Sequence, residues 1–198
     1  SIFAASSLTD SFQDLASEFE AQNPSIAVEL AFAGSQILRL QIEQGASVDL
    51  FASANQKHLQ ELVDDGYMGS PKVFASTDLV MIVPIANPAE IETFQDLTKA
   101  SRIVLGNEFS PIGLYTLEVL ERATADLGAS FGSVVSERIT SLENNVRMVR
   151  AKVELGEADA ALVYRPDAIT SSGVLTLPIP DAWNVLADFH VAVSTEAP

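Results

Sequence analysis

Twice in its first half the chain runs from an apolar segment, through a small-residue turn carrying serine, into a helix. In FAASSLTDSFQDLASEF (Phe3 to Phe19) the apolar run breaks at Ser6-Ser7. Leu8, Phe12, Leu15 and Phe19 then follow at spacings of 4, 3 and 4, one face of an α-helix. Ser7 stands where an N-cap belongs, and Asp10 three residues on makes a variant of the capping box. The pattern returns as a strand over Ile26 to Gly34, then Ser35, then Leu38 and Ile42 at helical spacing, with Gly45 as the stop. A strand from Val48 to Ser53 and a helix capped by Asn55, carrying Leu59, Leu62 and Val63 and ending at Gly66, complete a βαβα order. That order predicts an α/β fold with a parallel sheet.

The second half repeats the design. Leu79 to Val83 reads as a buried strand ended by Pro84, and Phe94 and Leu97 lie on a short helix. The strand Arg102 to Leu105 leads to a helix starting just after Pro111, with Leu117, Leu120 and Leu127 as its apolar stripe. A strand near Ile139 leads to Asn144 or Asn145 as a cap, with Val146, Val149 and Val153 inward and Gly156 as the stop. Ala160 to Tyr164 and Val185 to Val193 are further strands. Ser7, Ser35, the Pro111–Gly113 turn and Asn145-Val146 thus all lie at strand-to-helix junctions, where open α/β sheets bind ligands. Apart from Arg147, one position into its helix, these turns carry no basic side chain. Several helix N-termini of this kind suit a small anion held by neutral donors.

Composition narrows the choice of partner. With 11 basic and 27 acidic residues among 198, the net charge of −16 excludes a nucleic-acid partner, which needs clustered Lys and Arg. Hydrophobic content of 47% with 19% charged residues describes a globular protein. No apolar run approaches the length of a membrane span. No basic n-region precedes the first strand, so an exported protein would be represented here in processed form. Cysteine is absent, which removes disulfides, thiolate zinc sites and cysteine nucleophiles. His58, placed on the polar side of its helix, and His190, within a strand, are read as bystanders; no metal site is expected.

AASSLTDSFQDLASEF, FAGSQILRLQIEQGASVDLFASAN, LVMIVP, SPIGLYT and NNVRMVRAKVELGEADAALVYRPDA together resemble the molybdate-binding proteins of ATP-binding-cassette importers. The resemblance covers essentially the whole chain, in order. It implies a two-lobe type II periplasmic-binding-protein fold, each lobe a mostly parallel sheet flanked by helices. Lobe I would comprise residues 1–80 and 186–198 and lobe II residues 84–180, with hinge crossings near 79–84 and 180–189. It also implies a dehydrated oxyanion, molybdate or tungstate, held by the hydroxyls of Ser7, Ser35 and Tyr164 and the backbone N–H groups of Ile112 and Val146. No cofactor would be needed. The implied partner is the membrane permease of an importer, served by a monomer in the periplasm or outside the cytoplasmic membrane.

Ser110 replaces the valine usual before the proline and offers one more hydroxyl, and Pro166 replaces the usual serine or threonine before Asp167. The family's chains also begin a few residues earlier and continue into a helix that packs on lobe I. The alternative solutes are another tetrahedral oxyanion such as sulfate, or a small organic anion. Serine-nucleophile catalysis at Ser7 or Ser35 is disfavoured, because neither lies in G-x-S-x-G and neither histidine is suitably placed.

Overall fold

Apolar runs and small-residue turns organise the chain much as their spacing requires. The structure, a computed structural model, describes residues 1–197, so the terminal Pro198 of the expected first lobe lies outside the described residues. The strands are β1 (Ile2–Ala5), β2 (Leu30–Ala33), β3 (Leu50–Ser53), β4 (Lys72–Pro84), β5 (Ile103–Gly106), β6 (Ile139–Glu143), β7 (Ala160–Tyr164), β8 (Val174–Pro178) and β9 (Leu186–Val193). The helices are α1 (Thr9–Gln22), α2 (Ser35–Glu43), α3 (Gln56–Asp64), α4 (Pro111–Leu127), α5 (Ala129–Glu137), α6 (Val146–Glu154) and α7 (Arg165–Ile169). Short 3-10 turns span Ser6–Leu8 and Phe94–Lys99.

Two units result, Ser1–Ser76 with Asp188–Pro198, and Thr77–Ala187. In the first, the strands run in the order β2-β1-β3-β9. β1 is parallel to both β2 and β3, and β9 lies antiparallel on β3. Leu38, Phe51, Leu59, Leu62 and Met68 form the core beneath that sheet. In the second, β5 is parallel to β6 and β7, while β4 lies antiparallel between β7 and β8. Phe94 anchors its core, with ring centroids 5.5 Å from Trp183 and 6.1 Å from Phe131. The Trp183 indole N–H donates to Asp126 at 2.7 Å, so the buried ring keeps its polar edge satisfied.

Several expectations are corrected. No residue of α1 is fully buried: Leu15 and Phe19 are 58% and 46% exposed, and Phe12 meets Phe74 edge-on at 6.1 Å. The stripe is real, but much of it stays open to solvent. On α4 the sheet-facing residues are Ile112, Thr116, Val119 and Ala123, not the leucines. Leu117 and Leu120 instead line a groove with Gly132 and Val135 of α5, a helix the sequence reading missed along with α7 and β8. Gly132 allows that approach, since a Cβ there would come within 2.7 Å of the Thr124 side chain. His58 is 3% exposed, on the inward face of α3, so its expected solvent position is wrong.

Asp159 pins the start of β7 to that of β5. Its carboxylate accepts from the N–H groups of Ser101 and Arg102 at 2.9 Å each and from the Arg102 guanidinium at 2.7 Å. Burial opposes the charge, but these donors outweigh it and hold the Asp159 pKa below the ordinary carboxylate value. Asp159→Ala strands the donors and should cost about 2–3 kcal/mol in urea denaturation at pH 7. Because the folded pKa is depressed, this stability is present above the unfolded carboxylate pKa of about 4 and is lost as pH falls through the folded value. The difference between parent and variant should therefore shrink below about pH 4.

Candidate functional site

The expected site residues fall into two sets, Ser7 and Ser35 in the first unit and Ile112, Val146 and Tyr164 in the second. Within the first unit, β1 and β2 are paired in parallel with Ala5 opposite Ala33, so Ser7 and Ser35 leave neighbouring strands at the same level. Ser7 does not cap α1. The chain enters the helix through the 3-10 turn, where the Thr9 hydroxyl donates to the Ser6 carbonyl at 2.7 Å, and α1 begins without a side-chain cap. The Ser7 Oγ is buried and makes no hydrogen bond. A buried hydroxyl without a partner is costly, so Ser7 needs a physical reason to stand there.

Ser35, 1% exposed, opens α2 and accepts a hydrogen bond from the Ala54 N–H at 3.0 Å. That contact occupies an oxygen lone pair and leaves the hydroxyl proton for an outside acceptor. Ala54 is held in turn by its neighbours. The Asn55 N–H donates to Ser53 Oγ at 3.3 Å, and Asn55 Oδ1 caps α3 by accepting from the His58 N–H at 3.3 Å. The sequence reading found the Asn55 cap but not its part in orienting Ser35, which links residues 19 positions apart.

In the second unit, β5 and β6 end side by side, Gly106 opposite Glu143. The two helix starts that follow are bridged, Asn107 Nδ2 donating to Asn144 Oδ1 at 2.8 Å. Asn107 Oδ1 also accepts from the N–H groups of Phe109 and Ser110 at 3.0 and 2.9 Å, folding the loop into an Asx turn. Ser110 is fully buried, donates to the Asn107 carbonyl at 2.8 Å and accepts from the Gly113 N–H at 3.1 Å. Its hydroxyl is thus committed to capping α4 and is not the extra ligand group that its position suggested. Asn145, not Asn144, caps α6, accepting from the Met148 N–H at 3.1 Å. Each cap takes the N–H of its helix's third residue, leaving those of Ile112 and Val146 in first turns that lack intrahelical acceptors.

Tyr164 ends β7, paired with Leu79 of β4, and is 1% exposed. Its ring meets that of Tyr115 edge-on at 6.3 Å, and burial first, then Tyr115 and Asp167, push its pKa well up. The phenol is therefore a neutral donor at physiological pH. The turn after it is strapped by Arg165, whose guanidinium grips Asp78 with two hydrogen bonds, Nε to Oδ1 at 2.7 Å and Nη2 to Oδ2. Those bonds lower the Asp78 pKa against the opposing effect of burial. Pro166 occupies the first turn of α7, where a missing N–H costs nothing. Among the described residues no cluster of His, Asp or Glu could hold a metal ion, and no helix is long and apolar enough to cross a membrane.

The sequence profile of bacterial extracellular solute-binding proteins matches residues 1–198. The chain belongs to that family. It is 34% identical to the molybdate-binding protein ModA of Mycobacterium tuberculosis over 97% of this chain and 71% of the relative. Among solved structures, the periplasmic molybdate-binding protein of Azotobacter vinelandii superposes with a TM-score of 0.82 at 21% identity, covering 99% of this chain and 85% of that one. The sulfate-binding protein SubI of M. tuberculosis gives 0.84 at 15% identity, over 99% and 75%. The fold is thus the α/β type II periplasmic-binding-protein fold, and the fold by itself does not choose the anion.

Two expectations follow for the second unit. A Cβ on Gly113 would come within 1.9 Å of the Asn107 carbonyl oxygen, so Gly113→Ala must displace the Asx turn or the start of α4. Its melting temperature should fall by several degrees, a loss of about 2 kcal/mol or more, as for other overpacked sites. Tyr164, its folded pKa raised, contributes stability that is complete below the unfolded tyrosine pKa of about 10 and is lost as pH rises through the folded value. In a spectrophotometric titration, one of the three tyrosines should stay unionised until the protein unfolds in alkali.

Proposed function

We propose that this chain is the solute-binding component of an ATP-binding-cassette importer and that its solute is molybdate, with tungstate taken in the same way. In this reading the hydroxyls of Ser7, Ser35 and Tyr164 and the N–H groups of Ile112 and Val146 donate to one tetrahedral dianion. The two units act as lobes that enclose it, and the monomer delivers it to a membrane permease outside the cytoplasm. No cofactor takes part. The observation that carries the oxyanion is the buried Ser7 hydroxyl with no hydrogen-bond partner. The choice of molybdate is supported by the 34% identity to the molybdate-binding protein ModA along nearly the whole chain.

The chemistry is consistent. A tetrahedral dianion at neutral pH offers only acceptors, and every group in the proposed set is a donor. The first turns of α2, α4 and α6 add positive helix-end potential without a formal charge. Sulfate offers the same four acceptors, so size must separate the two ions. The structural likeness to a sulfate-binding protein makes sulfate the second reading.

Calorimetry with molybdate, tungstate, sulfate and phosphate tests both. Molybdate should bind best. Ser7→Ala, Ser35→Ala and Tyr164→Phe should each weaken it about tenfold to a hundredfold, the value of one hydrogen bond to a charged acceptor. Molybdate binding as tight in both serine variants as in the parent would refute the assignment, and a preference for sulfate would install the second reading.

A further inference from the structure

One aromatic ring stands against the proposed ligand tyrosine and has no part in the donor set. Tyr115 lies on α4, three residues after Ile112, and is half-buried. Its ring meets that of Tyr164 with centroids 6.3 Å apart and planes at 75°. The two side chains come from α4 and β7, which pack together within the second unit. Burial first, and Tyr115 next, push the Tyr164 pKa up, so the two phenols also interact electrostatically. The start of α4, which carries Tyr115, is itself fixed: Ser110 caps it, and Gly113 leaves no room for a Cβ against the Asn107 carbonyl.

We propose that Tyr115 is a positioning residue whose ring fixes the direction of the Tyr164 side chain, so that the Tyr164 hydroxyl and the Ile112 N–H keep a set spacing. The inference rests on the oxyanion reading given above. A tyrosine hydroxyl lies on the long axis of its ring. Turning the ring about that axis leaves the hydroxyl in place, whereas a change in χ1 swings the axis and carries the hydroxyl away. In a strand two χ1 wells are commonly open, so something outside the backbone must choose between them. An edge-to-face aromatic contact can, because the positive edge of one ring is attracted to the negative face of the other. An aliphatic side chain of similar size fills the space without that directional preference. The direction matters because a binding group counts in full only when held within about 0.5 Å of its productive place.

The experiment uses Tyr115→Phe and Tyr115→Leu in the full chain, each alone and combined with Tyr164→Phe, with molybdate affinity measured by calorimetry. Tyr115→Leu should bind about five- to tenfold more weakly, while Tyr115→Phe, which keeps the ring, should stay within about twofold of the parent. In the Tyr164→Phe background no hydroxyl is left to place, so Tyr115→Leu should cost no more than about twofold. In NMR spectra of the ligand-free protein, the Tyr164 ring signals, assigned by their loss in Tyr164→Phe, should show faster ring flipping in Tyr115→Leu alone. Equal flipping in the parent and both Tyr115 variants overturns the proposal. A ring that merely fills space predicts equal affinity losses from Tyr115→Leu in both backgrounds, and that result also overturns it. So does a Tyr115→Phe variant as weak as Tyr115→Leu, which would make the Tyr115 hydroxyl itself a donor. If Tyr115→Leu does not fold, Tyr115→Met decides in its place. A parent that binds no oxyanion, or a Tyr164→Phe variant as tight as the parent, overturns the functional reading and this inference together. Additive losses in a parent that does bind and does need Tyr164 overturn this inference alone.

Discussion

A helix that follows a parallel strand must begin at the strand's carboxyl end, and its first N–H groups have nothing in the helix to bind. The three side-chain caps of the long helices at these junctions treat that surplus alike. Asn55 takes the N–H of His58, Ser110 that of Gly113 and Asn145 that of Met148, each the third residue of its helix. The N–H groups ahead of that residue are left over, two each in α3 and α6 and in α4 only that of Ile112, because Pro111 has none. α2 begins with no side-chain cap, and its Ser35 adds a hydroxyl to the backbone donors. An excess of aligned, uncharged donors is therefore a product of the topology, and the proposed oxyanion chemistry draws on it.

The arginines of this chain are kept from acting as loose cations. Among the described residues every arginine except Arg138 is paired with a carboxylate, and the Arg138 guanidinium donates to the Ala100 carbonyl. A chain with net charge −16 would repel a dianion at long range, but ordinary salt screens this beyond about 10 Å. Within that distance local dipoles decide. The acidic surface and anion binding are compatible because they act over different lengths.

Much of this was legible in the sequence, and the failures have physical causes. β7 was read at its observed ends, and the Asn55 cap and the stops at Gly45, Gly66 and Gly156 stand, all three glycines having positive φ. Those features are local, fixed by backbone conformations that few residues adopt. The α4 stripe was misread because the helix has two apolar faces, one against the sheet and one toward α5, and periodicity cannot rank them. His58 was placed outward because a polar residue type was taken for a polar position. Motif and spacing nominated Ser7, Ser35 and Tyr164 for the proposed site, but their hydrogen-bonding states were hidden. Whether a serine caps, donates to its own loop as Ser110 does, or is held by Ala54 as Ser35 is depends on contacts between residues distant in sequence.

Those states bear on selectivity. Molybdate and sulfate present the same acceptors and charge, so a site made of these donors separates them only if its donors resist moving to fit the smaller ion. The second-unit groups are tightly braced. Gly106 and Gly113 bring backbone against backbone with no room for a methyl group, and Arg165 straps the turn that follows Tyr164. Ser35 is braced by Ala54, whereas the Ser7 hydroxyl has no such contact. In the proposed reading an oxyanion would order the Ser7 hydroxyl as it binds but would find Ser35 already directed, and only the ordering carries an entropic cost. In the proposed reading, braced donors would set the size of ion accepted, and the Ser7 hydroxyl would adjust to it.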